Sequence, residues 1–482
     1  MKQSIVKNYL YNLSYQLLIL ILPLITTPYV SRVLKSDGVG TFSYTNSIVQ
    51  YFILFGAIGL NLYGQREIAY VQSNKTLYSK VFHEILITRI ITISISVIIY
   101  YYLLCQNNKY AFIFTIQILD IIASIFDVSW LFQGLEDFKR VVIRNFIIKL
   151  LGVVLVFLCV KTKDDLTLYV FLNSITLFLG NFSMWVYLPK VVEKIKFDNL
   201  SLKRHIMPAI ALFIPQIATS LYTMLDKTMI GFMTGNESEV GYYEQSQKII
   251  KVVLTLVTSL GLVMLPRIAK TFAEDDKNQI NEYMSKTFKF VFLLATPLCL
   301  GMIAISPNFV PWFFGEGYEK VVPNMIINAP IIIFISISNV TGTQFLLPTK
   351  RQREYTASVI LGSIVNIILN IYLIPKYLSI GAAFATLIAE CSVTIIQIFF
   401  VKNDFKLKPI CKYAIKYMFI STIMAVAVYG IGMLLESNIV STMIQGIIGI
   451  ITYGCLLLLF KDQLIVQTIY SLKEKISKGE IN

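Results

Sequence analysis

The sequence predicts an all-α integral membrane protein of fourteen transmembrane helices, with two parallel six-helix lobes around a central cleft plus two C-terminal helices. Three observations predict it. The 482-residue chain is 56% hydrophobic and only 15% charged, with a mean hydropathy of +0.68, whereas soluble domains keep roughly a quarter of their residues charged. Its apolar residues come in runs of about twenty, enough to cross a hydrocarbon core of roughly 30 Å. The apolar/polar alternation of a lipid-facing barrel strand is absent, which leaves helices, whose backbone bonds close within the segment.

Runs and breaks place the spans at about 9–30, 41–62, 83–104, 110–132, 139–160, 166–189, 206–233, 240–266, 285–306, 321–346, 355–375, 379–401, 412–435 and 440–460. Lys2 and Lys7 precede the first run, and no small-residue cleavage site follows it, which reads as an uncleaved span. Pro23 and Pro28 remove backbone donors in span 1 and should kink it. Most of the 42 Lys and Arg fall in the N-terminus, the C-terminal tail and the connections after even-numbered spans. That bias puts both termini in the cytoplasm and accounts for the net charge of +14 without nucleic acid. Six cysteines (105, 159, 299, 391, 411 and 455) show no CxxC spacing and read as small packing residues. Trp130, Trp185 and Trp312 fall near span ends, where amphipathic rings sit at headgroup level.

An internal echo supports two lobes. "SDGVGTFSY" (36–44) joins spans 1 and 2, and "ESEVGYYEQ" (237–245) joins spans 7 and 8. Each sets a Val-Gly pair, Val39-Gly40 or Val240-Gly241, after an acidic turn and before an aromatic residue. Six spans separate them, so both enter the membrane in the same sense, as in a parallel repeat. The organisation is then an N-lobe at 1–189, a cytoplasmic linker at 190–205, a C-lobe at 206–401, and the last two helices with a basic tail at 402–482. Every loop is short, and no GxxxxGK[ST] occurs. A membrane polymerase or glycosyltransferase needs a sizeable external loop with catalytic residues, and none is present.

Charges inside the spans mark the candidate site. Arg89, Asp120, Asp127, Lys149, Asp226, Lys227, Glu244, Lys248, Lys251 and Glu390 fall within them, at about 2.5–3.5 kcal/mol each near a helix centre. They must face partners or water. Asp120 and Lys149 lie near the midplane. Asp127, seven residues beyond Asp120 and hence on nearly the same face, lies at the depth of Arg89 and Arg144. These residues read either as a buried ion-pair network or as a cationic wall that opens to an anion. Glu244, Lys248 and Lys251 share one helical stripe, which Asp226 or Lys227 should reach, and its positive surplus suits a phosphate. Glu390 sits mid-span without a cation at matching depth. It reads as a carboxylate that exchanges H+ or binds Na+, or as a neutral Glu hydrogen-bonded to Asn366 or Asn370.

Four stretches, "GLNLYGQREIA" (59–69), "FQGLEDFK" (132–139), "LDKTMIG" (225–231) and "NIYLIPKYLSIGAAFATLIAE" (370–390), together resemble the polysaccharide transporter family. That is the O-antigen and capsule repeat-unit flippase (Wzx-type) branch of the multidrug/oligosaccharidyl-lipid/polysaccharide exporter superfamily. The resemblance implies alternating access without enzymatic catalysis, in a bacterial plasma membrane. It implies an undecaprenyl-pyrophosphate-linked oligosaccharide moved from the cytoplasmic to the outer leaflet, and a polymerase and glycosyltransferases of the same pathway as partners. Arg66, Asp226 and Lys227 match family patterns, and Arg66 would meet the pyrophosphate at the inner mouth. Arg66, Arg89, Lys149, Lys227, Lys248 and Lys251 are thus expected to bind the anion. Asp120, Asp127, Asp226, Glu244 and Glu390 are expected as coupling or gating carboxylates. Tyr44, Asn46, Ser47 and Gln216 offer hydroxyls and amides to sugars. No metal or organic cofactor is implied; drive by an H+ or Na+ gradient, or by consumption of substrate outside, is expected. A lipid II flippase and a cation-coupled multidrug exporter are the alternatives.

Overall fold

Helices carry nearly the whole chain, because apolar runs this long bury their backbone groups only by bonding them within the segment. The computed structural model describes residues 5–194, 200–258, 261–274, 276–462 and 464. The middle of the expected 190–205 linker and the tail beyond 464 lie outside the described residues, as does the side chain of Gln216. Among the described residues there is no strand, and ten helical stretches are long and apolar enough to cross a membrane.

The helices are α1 Ile5–Ala57, α2 Leu60–Val71, α3 Lys75–Leu104, α4 Ala111–Phe126, α5 Ser129–Gly134, α6 Phe138–Cys159, α7 Leu166–Ser183, α8 Leu188–Val191, α9 Lys203–Thr234, α10 Glu237–Thr258, α11 Gly261–Ala273, α12 Lys277–Phe314, α13 Val321–Asn328, α14 Ile331–Ser338, α15 Gln352–Val401, α16 Leu407–Gly432 and α17 Ile439–Leu459. Asn74, Asp276 and Asn438 start α3, α12 and α17 by accepting from the backbone N–H three residues on, at 3.0, 2.9 and 2.8 Å. Two of the longest helices contain one non-helical residue each, Lys35 (φ 57°) in α1 and Leu378 (φ 57°) in α15. The break in α1 therefore falls beyond Pro23 and Pro28, at Lys35.

The chain gathers into two compact units, Met1–Glu244 and Gln245–Asn482. The first has a core of Tyr63, Ile68, Phe82, Trp130, Leu131 and Phe132 under α2, α3 and α5. Trp130 belongs to this core, 1% exposed and stacked on Phe82 at 5.5 Å. The second unit packs Phe288, Phe292, Ile332, Tyr417 and Ile420 between α12, α14 and α16. Outward faces are apolar: Tyr102, Leu103, Leu434 and Ile450 are exposed, as lipid-facing residues must be.

Candidate functional site

A cavity of about 560 Å³ opens inside the first unit, walled by α1, α4, α6 and α7. Asn46 and Gln50, one turn apart on α1, share a face toward it. Arg144, Asn145 and Lys149 come from α6, Asn173, Thr176 and Asn181 from α7, and Asp120, 5% exposed, from α4. The Arg144 Nη1 donates to the Gly180 carbonyl (3.1 Å) and Asn181 Oδ1 (3.0 Å), while Asn181 Nδ2 donates to the Ala123 carbonyl (2.9 Å). Those bonds fasten α6 and α7 to α4 and fix the guanidinium. Asp120 and Lys149, separate in sequence, thus line one space. Phe42 and Tyr169 meet edge to face at 5.1 Å on its wall. On another face of α1, an apolar groove of about 560 Å³ runs past Phe52, Phe55, Ile95 and Ile99.

A polar seam joins α1, α9 and the start of α10 within the first unit. Ser47 Oγ and Thr228 Oγ1 lie 2.8 Å apart, and Thr228 donates to the Tyr51 hydroxyl at 3.3 Å. Lys227 pairs with Glu244 at 3.0 Å, their side chains 16% and 21% exposed. Asp226, buried, accepts from the Tyr243 hydroxyl. The two adjacent residues of "LDKTMIG" therefore turn to different partners on α10, as the 100° between neighbours on a helix demands. Farther along, Ser36 Oγ donates to Ser238 Oγ at 3.2 Å. Tyr44 lies against Gly231 and edge-on to Tyr110 (5.6 Å), and Glu237 accepts from Lys109 and Tyr110.

Two expectations change. α4 stops at Phe126, and Asp127 follows it in an extended conformation (φ −72°, ψ 96°). Asp127 thus does not continue the face of Asp120; it accepts from the backbone N–H of Ser129 at 3.1 Å and from its hydroxyl. A short carboxylate that can bond the backbone two residues on competes with the helix and ends it. Arg89 is buried at 1% exposure and donates to Asn61, with the Asp127 charge nearby but no direct ion pair. Arg66 on α2 pairs with Glu67 at 3.3 Å and lies over the rings of Tyr63 and Tyr70.

Sequence reasoning passed over Glu84, whose carboxylate is fully buried. It accepts from Arg204, from His205 Nε2 at 2.9 Å and from the Ser201 N–H at 2.8 Å, and His205 Nδ1 meets the Tyr63 hydroxyl at 2.9 Å. Glu84 stands inside an apolar run and could have been counted with the other buried charges. Its effect is to hold the start of α9 to α2 and α3.

In the second unit, Lys248 and Lys251 lie three residues apart on α10, half-buried and exposed. Glu390 on α15 is 7% exposed. Asn370 Nδ2 donates to Asn366 Oδ1 at 3.0 Å. A second polar row runs from Thr341 through Gln397 to Ser358, at 2.6 and 3.0 Å. Thr341 belongs to a π-helical stretch, Asn339–Leu346, a conformation that recurs at functional positions.

Comparison with known proteins identifies the lineage. The family model described as "Polysaccharide biosynthesis protein" matches residues 5–272, more than half of the chain. The chain belongs to that family. Polysaccharide transporters of this kind fall within the multidrug/oligosaccharidyl-lipid/polysaccharide exporter superfamily, and the model described as MatE accordingly matches residues 211–372. A putative O-antigen transporter of Escherichia coli (strain K12) is 26% identical over 84% of this chain and 98% of its own length. A capsular polysaccharide biosynthesis protein, CapF, of Staphylococcus aureus is 23% identical over 83% of this chain and 100% of its own. In fold, the chain resembles a lipid II flippase solved in an inward closed conformation, with TM-score 0.76 and 18% identity, covering 95% of this chain and 100% of that one. This polysaccharide transporter is therefore a multi-pass membrane protein with a fold like that of the lipid II flippase.

Proposed function

We propose that the chain is a flippase for lipid-linked oligosaccharides, taking undecaprenyl-pyrophosphate-linked repeat units from the cytoplasmic to the outer leaflet by alternating access. The observation that carries this is a charged, amide-lined cavity and a polar seam inside helices whose outer faces suit lipid. The names of the E. coli and S. aureus relatives support the same substrate class. Such a substrate needs a wet passage for its head group and an apolar flank for its tail. The groove past Phe52, Phe55, Ile95 and Ile99 offers such a flank.

The architecture proposed with it has fourteen spans in lobes 1–189 and 206–401, joined by 190–205, with two further helices in 402–482, and both termini cytoplasmic in a bacterial plasma membrane. Lys35 and Leu378 each divide a long helix into two spans, and α9 and α10 stand where spans 7 and 8 are expected, which supports that count. Arg66, Arg89, Lys149, Lys227, Lys248 and Lys251 stabilise the diphosphate along its route. Asp120, Asp127, Asp226, Glu244 and Glu390 balance those cations or gate the passage, and Glu390 exchanges H+ or binds Na+ to drive it. The polymerase and glycosyltransferases of the pathway are the partners.

The test is translocation in vesicles. Purified protein is reconstituted with a lipid-linked oligosaccharide, and the fraction reachable by an external glycosidase is followed with and without an uncoupler. Protein-dependent exposure that the uncoupler slows supports both reading and coupling. Vesicles in which the oligosaccharide stays on its original side, from a protein that instead rescues a strain lacking its lipid II flippase, would replace this substrate with the peptidoglycan precursor.

A further inference from the structure

The cavity of the first unit is lined by polar groups that the protein itself does not bond. Asn46 and Gln50 face it from α1 and Asn145 from α6, all three half-buried. Among the described residues these carboxamides form no hydrogen bond with the protein, and the Thr176 hydroxyl on the same lining has none either. An amide or hydroxyl inside an apolar bundle is costly unless something bonds it. Each carboxamide offers donors and an acceptor side by side, so it accepts from one hydroxyl and donates to the next. Two hydroxyls on adjacent carbons of a sugar ring match that pair. Water alone satisfies the amides but leaves the apolar wall unused. There Phe42 and Tyr169 meet edge to face at 5.1 Å, a surface suited to the C–H face of a ring. The volume of about 560 Å³ lies within the roughly 300–1,000 Å³ of small-ligand sites.

From these features we propose that the cavity is a subsite for one pyranose ring of the transported head group, read through its vicinal hydroxyls. The proposal rests on the flippase reading, because it takes the ring from the lipid-linked oligosaccharide. Asn46 and Gln50, one turn apart, present their amides from one helix face. Asn145 and Thr176 meet the ring from α6 and α7, and Phe42 and Tyr169 cover its apolar side. Lys149 stands one turn beyond Asn145 on α6. Its role toward the diphosphate is therefore kept, with ring and diphosphate in neighbouring places.

Calorimetric titration of the full chain in nanodiscs tests the subsite, with methyl glucoside, methyl galactoside and methyl mannoside as probes. At least one is expected to bind. Blocking two adjacent hydroxyls of that sugar as methyl ethers should weaken it about tenfold, the loss of one or two hydrogen bonds. Asn46→Leu and Asn145→Leu should each weaken the unblocked sugar about tenfold, whereas Asn46→Gln keeps most of the affinity. If the leucine variants do not fold, the ether comparison on the unaltered chain decides. No binding of any of the three sugars, equal binding of the ether, or wild-type affinity in the folded leucine variants overturns the subsite. The vesicle assay separates this from the flippase reading. Translocation of a lipid-linked oligosaccharide by a chain that binds none of the sugars overturns the subsite and leaves the flippase standing. Sugar binding of the expected pattern without translocation overturns the flippase reading and leaves the saccharide site standing.

Discussion

Gly40 and Gly241 meet backbone to backbone. A Cβ on Gly40 would sit 1.7 Å from the Glu237 carbonyl oxygen, and one on Gly241 would sit 2.2 Å from the Ser36 carbonyl oxygen. The two Val-Gly pairs that the sequence repeats two hundred residues apart are thus the two halves of one contact. Only a residue without a side chain lets main chains approach so closely. Gly40→Ala and Gly241→Ala are each expected to prise α1 from α10, lowering the melting temperature and cutting transport several-fold. Wild-type melting and transport in both variants would mean that the contact is incidental.

The same contact can be locked. Ser36 and Ser238 stand side by side at 3.2 Å between their hydroxyls. The double variant Ser36→Cys with Ser238→Cys should cross-link under mild oxidant and stop translocation until a reductant is added. A cross-linked protein that still turns over at the normal rate would show that these segments stay together throughout the cycle.

The Lys227–Glu244 pair separates stability from function. Lys227→Met leaves a half-buried carboxylate without its cation, at about 1–3 kcal/mol. The exchange Lys227→Glu with Glu244→Lys should recover the melting temperature. Transport should remain impaired if the cation must also meet the substrate where it stands. Full recovery of transport by the exchanged pair would assign these residues a purely structural role.

Lys248→Ala and Lys251→Ala should reduce export at least tenfold while leaving the melting temperature within about a degree, because partly exposed helical lysines contribute little to stability. Normal export by both variants would remove the anion-binding role from that stripe.

Asp462, just past α17, provides a pH test. Burial pushes its carboxyl up, but the hydrogen bonds from Lys416 (2.6 Å) and Tyr417 (2.9 Å), with Lys289 nearby, hold it below the ordinary carboxylate value. A group depressed in the folded state stabilises fully above its unfolded value, about 3.9, and that contribution fades as pH falls through the folded value. The melting temperature should therefore drop on acidification below about pH 4. Asp462→Asn should melt lower at pH 7 and show a shallower acid limb. An acid limb identical to wild type would place the sensitivity elsewhere.

The helical class and the membrane setting were legible because lipid leaves a backbone few choices. The seam residues Asp226, Lys227 and Glu244 stood out for a related reason: charge inside an apolar run is conspicuous. What they touch was less accessible. Nothing local tells that Lys227 takes Glu244 while Asp226 takes Tyr243, since that depends on how two helices rotate about their axes. Asp127 was misplaced because hydropathy runs unbroken through residue 132, whereas the helix ends where a side chain can bond its own backbone. The amide lining was the hardest to read, since Asn46, Asn145 and Asn173 are uncharged and scattered over three helices, converging only when those helices pack.

Lys35 and Leu378 are the corners of α1 and α15. Each turns the chain through one left-handed residue between two long helical segments, with no slack of coil on either side. A hinge so tight works as a crank rather than a tether: when one arm tilts, its neighbour is dragged with it. Lengthening either corner by a few glycines would let the arms swing separately, and the stroke would then be lost within the corner itself.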